Sequence, residues 1–137
     1  MRFVDTNVLL YAISRAPDER GKAEVAASLL NSEDLALSVQ VLQEFYVQAT
    51  RATLPSPLSH QQAVTLVDSF KRFPVLDISL ELVESAFECR RRHQISYWDA
   101  AIIEAARSLG CRVVLSEDLN DGQDYSGVRV TNPFRDL

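Results

Sequence analysis

Apolar residues fall along this chain in two kinds of run. Short, continuous ones occupy Arg2–Val4, Leu35–Ser38, Val75–Leu76, Val113–Leu115 and Val128–Val130. Runs this short, apolar throughout and set between longer segments, predict strands of a parallel sheet covered on both faces. The longer segments space their apolar residues by three and four, the period of a helix with one buried face. They predict helices over about Val8–Ser14, Glu19–Leu30, Val41–Thr50, Gln61–Phe70, Leu80–Arg91 and Tyr97–Leu109. The third places Leu42, Phe45, Tyr46 and Ala49 on its main stripe, with Val41 and Val47 widening it. The fifth carries Leu80, Val83, Ala86 and Phe87; the sixth carries Ile102, Ile103 and Ala106. Leu54-Pro55-Ser56-Pro57 breaks the third helix from the fourth. Gly110 stands where a left-handed C-cap would end the sixth. Alternating strands and helices predict an α/β fold, with a short parallel sheet of about five strands flanked by helices. Residues 1–137 read as a single domain.

Composition narrows the classes. Hydrophobic residues are 47% and charged residues 24%, the balance of a soluble globular chain. No apolar run reaches the roughly 18 residues of a membrane span. Asp5 interrupts the first apolar run early, the pattern expected of a cytoplasmic chain without a signal peptide. Cys89 and Cys111 are too few for a disulfide framework and lack metal-ligand spacing, so both read as buried thiols. The net charge of −5 argues against a generic nucleic-acid coat protein. It suits a site of several carboxylates, which holds a divalent cation that in turn attracts phosphate.

Four acids stand out. Asp5 follows the first strand, at the carboxyl end where doubly wound sheets bind ligands. Asp99 falls on the apolar stripe of the sixth helix, where an ionised group is costly unless paired or metal-bound. Ser96-x-x-Asp99 is also a capping-box-like start, compatible with either role. Glu44 lies opposite the main stripe of a helix that is apolar nearly all round, which suggests burial and a partner. Ser116-Glu117-Asp118-Leu119-Asn120-Asp121-Gly122 follows the fourth strand. It could be a plain polar turn; Asp118 is the first candidate in it and Asp121 the second. Thr6, Asn7 and Ser116 could hydrogen-bond the carboxylates or a phosphate, or serve as ordinary caps. Like charges held together repel, and a hard divalent cation such as Mg²⁺ or Mn²⁺ relieves that penalty. Arg90-Arg91-Arg92-His93 fans around a helix end and reads as a solvated terminus. Tyr97 and Trp98, at the start of an Ala-rich helix, read as core rather than as stacking platforms.

Four segments carry a resemblance: Phe3-Val4-Asp5-Thr6-Asn7, Val41-Leu42-Gln43-Glu44-Phe45, Trp98-Asp99-Ala100-Ala101-Ile102 and Val114-Leu115-Ser116-Glu117-Asp118. Together they resemble the PIN-domain family, and within it the VapC-type toxin ribonucleases of toxin–antitoxin pairs. The resemblance spans the chain. It implies a three-layer α/β/α fold. It implies that Asp5, Glu44, Asp99 and Asp118 gather around one or two Mg²⁺ or Mn²⁺ ions, with Asp5, Asp99 and Asp118 as metal ligands. It also implies hydrolysis of RNA loops such as those of tRNA or rRNA, a homodimer, and silencing by a cognate antitoxin. The last segment departs from the family's commonest form, in which an Asp–aromatic pair soon follows. Here Leu119-Asn120-Asp121-Gly122 follows, which leaves Asp118 and Asp121 as alternatives. Two other readings stand beside this one: a non-catalytic Mg²⁺-binding or interaction module, and a DNA-directed nuclease of the same fold. An aspartyl phosphatase is disfavoured, because Asn7 occupies the position where that chemistry wants a second Asp.

Overall fold

The computed structural model describes residues 1–137. Its strands are β1 (Arg2–Val4), β2 (Leu35–Ser38), β3 (Val75–Leu76), β4 (Val113–Leu115), β5 (Asp124–Tyr125) and β6 (Val128–Thr131). Its helices are α1 (Thr6–Ala12), α2 (Arg20–Leu29), α3 (Val39–Ala49), α4 (His60–Phe70), α5 (Leu80–His93) and α6 (Tyr97–Ser108), with a 3₁₀ turn at Pro17–Glu19. They form one mixed six-stranded sheet, in the order β3-β2-β1-β4-β6-β5, flanked by helices.

β1 lies at the centre and pairs in parallel with both β2 and β4. The chain leaves β1 towards β2 on one side and later returns to β4 on the other. That makes the carboxyl end of β1 the switch point of the sheet, where side chains after neighbouring strands open a crevice. The ladder runs past the strand ends: Asp5 N donates to Leu115 O at 3.0 Å, and Ser116 N donates to Thr131 O at 3.1 Å. Both residues are therefore fixed by backbone bonds and not merely carried on a loop.

The parallel strands are buried as their apolar sequences require. Phe3, Val4, Leu35, Ala36, Leu37, Val114 and Val130 belong to one continuous apolar core with the inner faces of the helices. The C-terminus of α6 closes as its Gly110 predicts. Gly110 takes a φ of +78°, its N–H donates to Arg107 O at 3.0 Å, and Cys111 N donates to Ala106 O at 2.9 Å. This pair of bonds satisfies carbonyls that the helix end would otherwise leave open. Both cysteines are free and buried. No helix is long and apolar enough to cross a membrane.

Three expectations are corrected. The sheet has six strands, not five. β5 pairs antiparallel with β6 through a tight turn in which Ser126 and Gly127 both take positive φ. Two positive-φ residues match the twist of a hairpin. The pattern misses β5 because Asp124-Tyr125 is not an apolar run, unlike the equally short Val75-Leu76 of β3. On α5 the buried stripe is Leu82, Ala86 and Cys89, whereas Leu80 and Phe87 face solvent. On α3, Val47 is 57% exposed, so that helix keeps a solvent face.

α4 begins with a capping box: Gln62 N donates to Ser59 Oγ at 3.1 Å, and Ser59 N donates to Gln62 Oε1 at 2.9 Å. Ser59→Ala is expected to cost about 1 kcal/mol, seen as a fall of roughly 3 °C in Tm. No residue of α4 lines the acidic cleft described below, so the effect should be confined to stability.

Candidate active site

Four acids arrive at one cleft by four local routes. Asp5 follows β1 and caps α1, accepting from Thr6 N at 2.8 Å. α1 therefore starts at Thr6, two residues earlier than the apolar pattern alone marks. Glu44 comes from α3, which runs straight on from β2 because Ser38 caps it. Asp99 sits in the first turn of α6, where its N–H donates to the Ser96 Oγ cap at 3.1 Å. Asp118 comes from the loop after β4. All four line a small cleft of about 90 Å³, together with Thr6, Asn7, Gln40, Gln48 and Trp98. No Lys or Arg lines it.

Hydrogen bonds tie the acids together. Ser116 Oγ donates to Asp5 Oδ2 at 2.7 Å and accepts from Asp118 N at 3.1 Å. The Asn7 amide reaches Asp5 Oδ2 at 3.3 Å, Ser116 Oγ at 3.1 Å and Asp118 Oδ2 at 3.2 Å. Its own oxygen accepts from Glu117 N at 3.1 Å, which fixes the orientation of the amide. Thr6 Oγ1 lies 3.5 Å from Glu44 Oε1, a long contact, and Gln40 Nε2 donates to the same oxygen at 3.1 Å. Asp121 lies outside this network. It accepts from Asn132 N at 2.8 Å and pairs with Arg135 at 3.3 Å. Glu117 also points away, to Tyr11 and Lys22. Asp77, at the end of β3, is exposed and does not line the cleft.

The electrostatics are strained. Asp5 is only 7% exposed, and burial pushes its carboxyl up from an ordinary 3.8 to about 6. The bonds from Ser116 and Thr6 oppose that rise, while Glu44 and Asp118 add to it. Burial also raises Glu44, with Asp99 and Asp118 adding to it. Asp99 is raised by burial and then by Asp118. Repulsion among the acids is thus left without a cationic side chain to offset it. No three His, Cys, Asp or Glu side chains stand close enough together to make a ready cage for a metal ion.

Of the cleft residues that a reading of the sequence misses, two bear on the geometry of the site. Gln40 bridges Glu44 and the Trp98 carbonyl. Its signal was its place four residues before Glu44, one helical turn away. Trp98 is the other. It is 64% exposed at the edge of the cleft, against the expectation that it packs in the core. The backbone of α6 turns Ala100, Ala101 and Ile103 inward, and that leaves Trp98 on the outer side of its first turn while Asp99 faces the cleft.

The fold and the cleft together define a class. The PIN-domain family model matches residues 2–120, and the chain belongs to that family. Among solved structures it is similar to a toxin–antitoxin complex from Klebsiella pneumoniae, with 19% identity, 98% of each chain covered and a TM-score of 0.70. It is also similar to DNA-bound VapBC from Salmonella typhimurium, with 22% identity, 96% and 97% covered and a TM-score of 0.67. A third is VapC20 from Mycobacterium tuberculosis, described as a toxin that cleaves the sarcin–ricin loop, with 20% identity, 86% and 90% covered and a TM-score of 0.65. At these identities the likeness is one of fold. No curated protein matches the sequence.

Proposed function

We propose that this chain is a divalent-cation-dependent endoribonuclease and the toxin of a toxin–antitoxin pair. The observation that carries this reading is the shared cleft of Asp5, Glu44, Asp99 and Asp118, acidic and without a cationic side chain, at the switch point of a PIN fold. Family membership and the likeness to VapC20 and the two antitoxin-bound complexes support it.

The donor set fits a hard cation. It is all carboxylate and amide oxygen, carries uncompensated negative charge and includes no soft ligand. Asp5, Asp99 and Asp118 would hold the ion. Asp5 is the buried member of the three, whereas Asp99 is half-buried and Asp118 exposed. When bound, Mg²⁺ or Mn²⁺ supplies the positive charge that draws in phosphate and makes water a better nucleophile at neutral pH. The side chains do the rest. Ser116, Thr6 and Asn7 hold Asp5 in one orientation. Glu44, raised above its ordinary value chiefly by burial, would stand beside the ion to take a proton from attacking water. In this reading the chain forms a homodimer, to be checked by light scattering, and is silenced by a cognate antitoxin.

The test is cleavage of total cellular RNA by the purified chain, freed of any antitoxin, with Mg²⁺ or Mn²⁺ and with chelator. Discrete fragments that require the cation are the expected result. Intact RNA with every cation, from a folded chain that binds the metal, would leave a binding module instead. Cleavage of DNA but not RNA would change the substrate class. Asp118 and Asp121 are to be separated in the same assay. Asp118→Asn is expected to lower the rate at least about 10-fold, as loss of a cation-binding group does. Asp121→Asn, remote from the network, should leave it near native. The reverse pattern would move the fourth acid to Asp121.

A further inference from the structure

Trp98 is the only tryptophan of the chain, it lines the acid cleft beside Asp99, and most of it is open to solvent. A single exposed apolar residue is unremarkable. Trp98 is not single. Its ring lies 5.0 Å from Tyr97, nearly perpendicular, and Tyr97 lies 5.5 Å from Phe87 of α5, which is 58% exposed. The three rings form a line from the cleft outward over α6 and α5. The first contact is edge-to-face and the second tilted, and such contacts hold aromatic rings in place. The backbone is held too. The Gln40 amide donates to the Trp98 carbonyl at 3.3 Å and to Glu44 at 3.1 Å. One side chain thereby ties the Trp98 backbone to an acid of the cleft.

The charge of the cleft sharpens the question. Nucleic-acid sites commonly draw most of their affinity from Lys and Arg on phosphates. Here the lining contains neither. A cation held by these acids would draw in the phosphate that is cut, and a grip on the base beside it would add to that hold. Every base has a π-face, and stacking on an aromatic side chain is the grip that needs no positive charge. It also requires an unpaired base, which single strands and loops provide.

We propose that Trp98 is the stacking platform for an unpaired nucleobase of the RNA substrate, next to the phosphate that is cut. Tyr97 and Phe87 continue the surface away from the cleft. This rests on the ribonuclease reading above, and it makes Trp98 a positioning residue for that substrate.

With one tryptophan, the indole reports on itself. The test uses the full chain with Ca²⁺ and an unstructured oligoribonucleotide of about eight residues, beside an abasic strand of the same length. Saturable quenching of the Trp98 emission by the first strand and not the second is the expected result. By fluorescence anisotropy, Trp98→Ala should bind the base-bearing strand about 10-fold more weakly, while Trp98→Phe keeps most of the affinity. In Mg²⁺ the loss should appear in KM more than in kcat. Binding seen by anisotropy with Trp98 emission unchanged would overturn the platform. So would blue-shifted emission that grows with protein concentration, since a second copy of the chain would then cover the indole. Cleavage without quenching removes the platform and leaves the ribonuclease. Quenching without cleavage under any cation removes the ribonuclease and leaves a single-strand-binding platform. Neither binding nor cleavage removes both.

Discussion

Asp5→Asn is expected to slow RNA cleavage about 10³-fold while leaving the fold intact. The substitution keeps the size of the side chain and an oxygen that can still accept from Thr6 N, so α1 keeps its cap. What it removes is one charge and, on the proposed reading, one oxygen for the cation, at the only one of the four acids that the sheet itself holds. The backbone bond from Asp5 to Leu115, and that from Ser116 to Thr131, make this end of β1 and β4 rigid. Catalytic groups need that rigidity, because small misplacements cost large factors in rate. Initial rates at saturating Mg²⁺, with a circular dichroism spectrum as the control for folding, check the expectation. A rate near native in a folded variant would place the chemistry elsewhere.

The placement of Asp5 was partly legible in the sequence. A carboxylate directly after a short apolar run, with Thr6 and Asn7 behind it, marks a strand end that turns into a helix. Gly110 and Ser96 were equally plain, because caps are local and depend on one or two residue types. The sharing of one cleft by Asp5, Glu44, Asp99 and Asp118 was not local, since the strand order that gathers them is a property of the whole sheet. The family resemblance supplied that gathering as an expectation; spacing did not. Glu44 shows the limit well. Its helical wheel placed it away from the main stripe, and whether that side met water or a cleft depended on what α1 and α6 put there. Trp98, Leu80 and Phe87 failed for the opposite reason. Their hydrophobicity argued for burial, but α5 buries a neighbouring stripe and α6 leaves Trp98 on the outer side of its first turn. Hydrophobicity tells which residues are able to be core, not which face the packing chooses.

The same Asp5→Asn change is expected to stabilise the chain in chelator at pH 7.5, by about 2 kcal/mol or roughly 5 °C in Tm. The sign follows from the burial of Asp5. Its carboxyl titrates at about 6 in the folded chain and near 3.8 when free. Between those values the folded state binds the extra proton. Stability from this group is therefore complete below about pH 4, falls as pH rises, and is fully lost above about 6. That span of about two pH units corresponds to about 3 kcal/mol. Asn returns less than the whole, because its amide would face the Asn7 amide and must take over the bond to Ser116. Glu44 and Asp99 are shifted in the same direction and deepen the slope of the native chain. Thermal melts of both proteins from pH 4 to 8 in chelator should converge at the acid end and separate towards neutrality. Added Mn²⁺ should then raise the native Tm more than that of the variant, since a ligand stabilises the state that binds it. A native chain no less stable than Asp5→Asn at pH 7.5 would mean that the bonds from Ser116, Thr6 and Asn7 already offset the buried charge. The gap in Tm between the two proteins thus sets a lower bound on the folding free energy that a negative charge held at the end of β1 costs.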